Sequence, residues 1–253
     1  MRTTHGLKVW TMLGWCAWTG VPTARAAIAE ETRPVPGFSS LEVRSAIDVH
    51  VRQGPVAPLR VRGEPDTLAR LRAEVKAGHL RLYLAPKAPD TKHRVVVELQ
   101  CPSLPSLRAA EASVIETSAP AGGPLRLVAA EASTIRVAAS VAPSELTVEA
   151  ADASEVVVEG LRAHRLTARA RSASRLSLAG HAASARVVLQ EASSLEGRGL
   201  SVKALEIHES EASRATVSAQ SVSGSLGGAA SLDVPRSARV AVTTAEESSV
   251  IRH

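Results

Sequence analysis

Apolar and polar residues alternate with a period of two along most of the chain, in short runs on either side of a recurring corner. Leu125, Leu127 and Ala129 mark the apolar positions before one such corner, and Ile135 and Val137 mark those after it. This alternation is typical of a β-strand that buries one face. The pattern therefore predicts a succession of short, half-buried strands.

The corner itself is the tripeptide Glu131-Ala132-Ser133, which returns with small changes along the chain. The serines that align it are spaced 17 to 21 residues apart: Ser113, Ser133, Ser154, Ser174, Ser193, Ser213, Ser231 and Ser248. A fixed period of this size indicates stacked repeats, with neighbouring coils paired in parallel about 4.8 Å apart. We predict an all-β fold, a right-handed parallel β-helix-like solenoid with coils of about 20 residues.

Each corner is interpreted from its three side chains. The alanine is expected to turn inward, where space is short, and the acid to point to solvent. The serine hydroxyl is expected to bond backbone groups that the turn leaves free.

The first third of the predicted domain is less regular. "FSSLEVRSAIDVHVRQG", "LRVRG" and "LRLYLAP" read as strands, whereas "EPDTLARLRAEVKAGH" predicts a short helix, begun at Asp66 or Thr67 and ended by Gly78. Such a helix would cap the open end of the solenoid. The predicted organisation is a signal peptide over 1–26, a linker over 27–37, and one domain over 38–253, irregular over 38–103 and regular over 104–253.

The N-terminus has the features of a secretory signal peptide. Arg2 and Lys8 precede an apolar run from Val9 to Val21, and Ala24-Arg25-Ala26 is an A-x-A cleavage pattern. We expect cleavage after Ala26, export from a bacterial cell, and no transmembrane segment in the mature chain. A lipoprotein reading around Cys16 is weaker because the preceding Trp15 is bulky.

Cleavage changes the picture that composition gives. It removes three of the 30 basic residues and none of the 25 acidic ones, so the net charge falls from +5 to +2. With no basic block, nucleic-acid binding has little support. The mature chain keeps one Phe, one Tyr and Cys101, which suits a narrow aliphatic interior. Cys101 is interpreted as a small buried hydrophobe, with a reactive thiol or an intermolecular bridge as alternatives.

The acids of the corners form a candidate site. They are expected to align along one edge, with Ser172 interrupting the series: Glu111, Glu131, Asp152, Glu191 and Glu211. Stacked unit charges repel by roughly 1 kcal/mol per pair in water. A bridging divalent cation is one way to offset this. The favoured alternative is compensation by Arg136, Arg175 and Arg214, so that no metal site is predicted.

Other metal, cofactor and catalytic signals are weak. Glu206, His208 and Glu209 are interpreted as a solvated strand face rather than a zinc site. No G-x-S-x-G motif occurs, and "SGSLGGAAS" does not open a helix after a strand. The coils are too short to carry loops that wall a cleft. We therefore expect neither an enzyme nor a cofactor.

The chain also resembles a known family. "FSSLEVRSAIDVHVRQG", "LRVRGEPDTLARLRAEVKAGHLRLYL" and "VVVELQCPSLPSLRAAEASVI", followed by serial "EAS" units, are similar to the head GIN domain of autotransporter adhesins over most of residues 38–251. The resemblance implies a right-handed β-helix-like domain in the bacterial envelope and brings no catalytic residues with it. The family's corners usually contain Gly, whereas this chain has Ala at 112, 132, 153, 173, 192 and 212.

Two functions follow as hypotheses. The favoured one is a secreted, non-catalytic envelope β-solenoid that acts as an adhesin-like or scaffold module, with an unknown envelope protein or a glycan as partner. The alternative is a carbohydrate- or cation-binding, or polysaccharide-active, protein that uses the acidic corners. No autotransporter barrel occurs within the 253 residues, so we expect periplasmic residence at least as much as surface display.

Overall fold

The protein is described from a computed structural model that covers residues 28–86, 94–118, 123–138, 142–245 and 247–252. The predicted signal peptide lies outside the described residues. The fold is an all-β solenoid of about seven turns. In the part of the chain that the structure describes, no helix is both long and apolar enough to span a membrane.

The described residues of the N-terminal part form seven strands and one short helix: β1 (Ala29–Arg33), β2 (Ser40–Val43), β3 (Ile47–Gln53), β4 (Leu59–Gly63), α1 (Pro65–Leu68), β5 (Leu71–Lys76), β6 (His79–Leu84) and β7 (Val95–Cys101). The segment predicted as a linker contains β1, which pairs antiparallel with β4.

Where the structure describes the regular part, it has twelve further strands: β8 (Ser106–Ala109), β9 (Val114–Thr117), β10 (Leu125–Ala129), β11 (Thr134–Ala138), β12 (Glu145–Ala150), β13 (Glu155–Ala170), β14 (Arg175–Leu189), β15 (Ser194–Glu209), β16 (Arg214–Leu226), β17 (Ser231–Val234), β18 (Arg239–Thr244) and β19 (Ser249–Arg252).

Parallel pairing between coils stacks the apolar residues that the alternation identifies. Leu127 of β10 lies between Leu107 and Val148, and Ile135 of β11 lies between Ile115 and Val156. All six side chains are buried, within one continuous hydrophobic core. Because every coil contributes small aliphatic residues at the same positions, the core needs no aromatic filling.

From β13 to β16, one strand runs through a bend and covers two sides of the coil. The pairing register shifts at each bend, between Val158 and Leu161 for β13 against β14. Gly180 at the next bend has φ +134°, and a Cβ there would lie 2.1 Å from the carbonyl oxygen of Leu161. This bend therefore requires glycine.

Each corner is built from two consecutive residues in the left-handed region. Glu131 and Ala132 have φ of 56° and 59°, and the corners of the other regular coils repeat these values closely. The Ala132 N–H donates to the Asp152 carbonyl of the next coil at 2.8 Å. The prediction that the alanine turns inward is wrong: Ala132 is exposed and Ser133 is buried. Two left-handed residues point the first two side chains outward and only the third inward.

The inward serine bonds the backbone at some corners, as the sequence suggested, whereas the hydroxyls of Ser113 and Ser193 have no hydrogen-bond partner among the described residues. The Ser133 hydroxyl donates to the carbonyls of Ala109, at 2.9 Å, and Ala130. In the seventh corner the serine alignment is wrong by one residue. Arg214 pairs with Ser231, so Ala230 stacks on Ser213.

The predicted capping helix is also wrong. Only Pro65–Leu68 is helical, and the following residues form β5, an antiparallel hairpin with β6 through Ala77 and Gly78, both at positive φ. Asp66 and Thr67 provide no cap: the capping position is Glu64, whose side chain makes no capping hydrogen bond. This segment forms a strand because the free edge of β6 supplies the backbone hydrogen bonds that a helix would make internally.

The chain does not enter the stack in sequence order. The coil made by β2 and β3 lies between β6–β7 on one side and β8–β9 on the other. Antiparallel strands then cover the outer edge, with β5 on β6 and β4 on β7. Antiparallel strands, rather than a helix, thus block this end of the solenoid against further parallel coils.

Candidate binding surfaces

The predicted acidic corners stack as the sequence indicates. The backbone N–H after each of these residues donates to the equivalent residue of the next coil, which links Glu111 to Glu131 and Glu131 to Asp152. The series continues through Ser172 to Glu191 and Glu211. All five acids are exposed, one per coil. They form a line along the solenoid rather than a cluster around one point.

The predicted compensation of these acids by Arg136 is wrong. Arg136 pairs with Glu116 at 3.7 Å and Glu155 at 3.4 Å, both on the strand face after the corner. Two of the corner acids, Glu111 and Glu191, are instead contacted by other side chains. Ser45 donates to Glu111 at 3.0 Å and Ser172 donates to Glu191 at 2.7 Å, while Arg44 lies 3.6 Å from Glu111.

The described part of the chain contains no group of three or more His, Cys, Asp or Glu side chains arranged to hold a metal ion. His208 contacts Glu206 at 3.2 Å and Ser225 at 2.9 Å on the outer surface. Glu209, the third member of that sequence cluster, points into the core. Cation binding by the acidic corners stays an untested alternative.

A shallow groove, which we call the coil groove, crosses five consecutive strands from β13 to β16 and on to β18. Its volume is about 750 Å³. Residues in register across the strands line one side of it: Arg165, Ser184, Ala204, Ser221 and Arg239. Small side chains lie between two arginines about 19 Å apart, four strand spacings. Arg186 and Glu206, also in the lining, pair at 3.4 Å.

A second groove, the N-terminal groove, lies where the first corner meets β6. Its volume is about 690 Å³, and its lining includes Arg44, Ser45, Arg70, Arg81, Tyr83 and Glu111. The Tyr83 hydroxyl donates to Glu74 at 2.6 Å, and this bond raises the pKa of Tyr83 and lowers the pKa of Glu74. Arg44 and Arg81 both contact Glu42, at 2.7 and 3.1 Å.

Glu42 organises the charges beside the N-terminal groove. Burial favours its neutral form, but the hydrogen bonds and charges of Arg44 and Arg81 outweigh that effect and lower the pKa of Glu42. Glu42 is therefore ionised at neutral pH and holds both guanidinium groups in place.

Comparison with known proteins identifies the family. Residues 37–237 match the family described as "Putative auto-transporter adhesin, head GIN domain". The chain belongs to this family. The resemblance noted in the sequence is thereby confirmed.

Solved structures share the architecture at low identity. One from Parabacteroides distasonis ATCC 8503, described as a putative lipid binding protein, has a TM-score of 0.83 and 12% identity, and the match covers 90% of this chain and 98% of that one. Another from Parabacteroides merdae ATCC 43184, described as a putative adhesin, has a TM-score of 0.81 and 13% identity over 90% and 97% of the chains. No curated protein matches the chain.

Two residues of this GIN domain stand out inside the core. Cys101 is buried, as predicted, and burial raises the pKa of its thiol. Glu209 is 4% exposed, and the sequence interpretation as a solvated residue is wrong for it. The signal was present, since Glu209 has the same strand parity as the buried Leu205 and Ile207. The sequence interpretation placed Glu209 at the surface because it is charged, whereas the alternation of β15 places it in the core.

The residues of the N-terminal groove were not identified as a site from the sequence. Arg70 follows α1, Tyr83 lies in β6, and Arg44 and Glu111 lie at two different corners. No local motif connects them, because their proximity depends on the non-sequential position of the first coil.

Proposed function

We propose that this GIN domain is an exported, non-catalytic binding module of the bacterial envelope that holds its partner along the coil groove. The coil groove carries the proposal, because it is an open, continuous surface across five strands rather than a closed pocket. Its lining combines aliphatic side chains with hydroxyls and with charges that are largely paired. A surface of this kind suits an extended partner, an envelope protein or a glycan.

Membership of an adhesin family supports this proposal over catalysis. An enzyme of glycans needs two or three acids that converge in a cleft. The acidic corners instead lie one per coil along the stack. The predicted signal peptide supports export to the periplasm or the cell surface.

The test is binding of labelled mature domain, residues 27–253, to isolated bacterial envelope fractions. Ser184→Trp places a large ring on the exposed lining of the coil groove without entering the core. We expect this variant to lose at least about tenfold in affinity for the envelope fraction, since the ring excludes a partner from the groove.

The matched control is Ser194→Trp, which adds the same ring on the strand after the corner, outside the coil groove. It should bind like the native domain. Equal losses in both variants, or no envelope binding by the native domain, would contradict the proposal.

A further inference from the structure

We propose that the N-terminal groove is a binding site for an acidic saccharide, with Arg70 holding a carboxylate and Tyr83 packing against the sugar ring. This site is separate from the coil groove and goes beyond the function proposed above. It rests on the arrangement of Arg70, Tyr83, Arg44, Arg81, Ser45 and Glu111 around one cavity.

The Arg70 guanidinium is held in one orientation and still has hydrogen-bond donors available for a ligand. Its Nε and Nη2 donate to the carbonyl of Ala85, at 3.2 and 3.0 Å. No described carboxylate lies within ion-pair distance of it. A guanidinium has five N–H donors, so Arg70 keeps donors free while its orientation is already set. Such a group suits the bidentate, charge-assisted recognition of a carboxylate.

Tyr83 supplies an aromatic surface in a domain that has almost none. The only other aromatic side chain among the described residues, Phe38, is buried at 9% exposure. Tyr83 is half-buried in the groove wall, and its hydroxyl is held by Glu74. A tyrosine fixed at its polar end offers apolar contact at little entropic cost.

The remaining groups match a ligand rich in hydroxyls. Arg44 and Arg81 are donors already partly neutralised by Glu42. Glu111 is an acceptor, 42% exposed, that Ser45 and Arg44 orient. Hydrogen-bond donors and an acceptor together fit the hydroxyl groups of a sugar. The lining also has a net positive charge, which attracts one carboxylate of the ligand. The volume, about 690 Å³, lies in the range of small-molecule sites.

The experiment measures binding of trigalacturonic acid to the mature domain by calorimetry and by NMR. The sequence has a single tyrosine, so the ring resonances of Tyr83 are unambiguous. We expect saturable binding with shifts of these resonances. Galactotriose, which lacks the carboxylates, should bind at least about tenfold more weakly, as should inorganic phosphate, which lacks the sugar.

Three variants test the assignment. Arg70→Gln removes the charge but keeps an amide that can donate to Ala85, and Tyr83→Leu removes the ring; each should weaken binding about tenfold or more. Arg169→Gln, an exposed arginine outside the N-terminal groove, should change it less than twofold. All three should melt like the native domain.

Three results would overturn the proposal: no shift of the Tyr83 resonances in the native domain, equal losses in Arg70→Gln and Arg169→Gln, or phosphate that binds as tightly as the saccharide. The native-protein NMR result stands even if a variant fails to fold. Since Ser184→Trp reports on the coil groove alone, failure here leaves the envelope-binding proposal standing, and the reverse also holds.

Discussion

Glu209 is a buried carboxyl in a column of apolar residues. It stacks between Leu189 and Leu226, and neither of its carboxylate oxygens has a hydrogen-bond partner among the described residues. Burial raises the pKa of Glu209 to about 8; the nearby Ser231 N–H, which already donates to Ser213 at 3.0 Å, opposes this only weakly. At neutral pH the group is held mostly neutral, since an uncompensated charge in the core is costly.

A pH dependence of stability follows from Glu209. The pKa of this residue is higher in the folded state than in the unfolded one, so its contribution is complete at low pH and is lost as the pH rises from about 4.5 to about 8. We expect a loss on the order of 4 kcal/mol in unfolding free energy between pH 4 and pH 8 from this group alone. Denaturant unfolding of the native domain and of Glu209→Leu measures it.

Glu209→Leu should remove this component and be the more stable protein at pH 8. Glu211→Gln, which changes an exposed acid two residues away, is the control and should keep the native pH profile. A Glu209→Leu profile as steep as the native one would refute the assignment.

At the scale of elements, the corners carry backbone strain. Each regular coil places an alanine in the left-handed region, where a Cβ costs roughly 1–2 kcal/mol relative to the right-handed conformation. The stack tolerates this because each corner N–H is hydrogen-bonded to the next coil.

Ala132→Gly should therefore stabilise the domain by about 0.5–1 kcal/mol, because the released strain exceeds the added entropy of the unfolded chain. Ala168→Gly is the matched control: Ala168 is fully buried within β13 and is not at positive φ, so the same change should destabilise. Thermal melting of both variants checks that the melting temperature rises in Ala132→Gly and falls in Ala168→Gly. Destabilisation of both would mean that the corner alanine makes contacts that outweigh its strain.

The hairpin of β5 and β6 shows the limit of local patterns. "LARLRAEV" satisfies a helical period, yet Leu71, Ala73 and Val75 also alternate as in a strand. The free edge of β6 decides between the two, and that edge exists only once the first coils have stacked.

Over the whole molecule, the acidic corners form a line along the solenoid axis. Neighbouring acids lie one strand spacing, about 4.8 Å, apart along the stack, except that Ser172 separates Asp152 from Glu191. Glu111 and Glu191 are contacted by neighbouring hydroxyls. Within the described residues no third ligand converges on any pair. Such a line provides fewer ligands at any one point than the six to eight oxygens that Ca²⁺ favours.

We accordingly expect millimolar Ca²⁺ to leave the melting temperature of the mature domain unchanged. A site at 100 times its dissociation constant would add about 2.7 kcal/mol, an easily measured shift. A rise that Glu131→Gln and Glu191→Gln abolish would establish a cation site at the corners and contradict this expectation.

The sequence by itself determined the local pattern of this protein: which residues of the strands face inward, where most of the corners fall, and that coils of about 20 residues repeat. These features depend on the alternation within each strand and on the spacing of the corners, and both are visible in the sequence before any strands pair. Tertiary structure decided what depends on distant pairing, namely that β5 is a strand, that the first coil lies between later ones, and that Arg70, Tyr83 and Glu111 line one groove. Contacts between residues far apart in the chain exist only after the stack has formed.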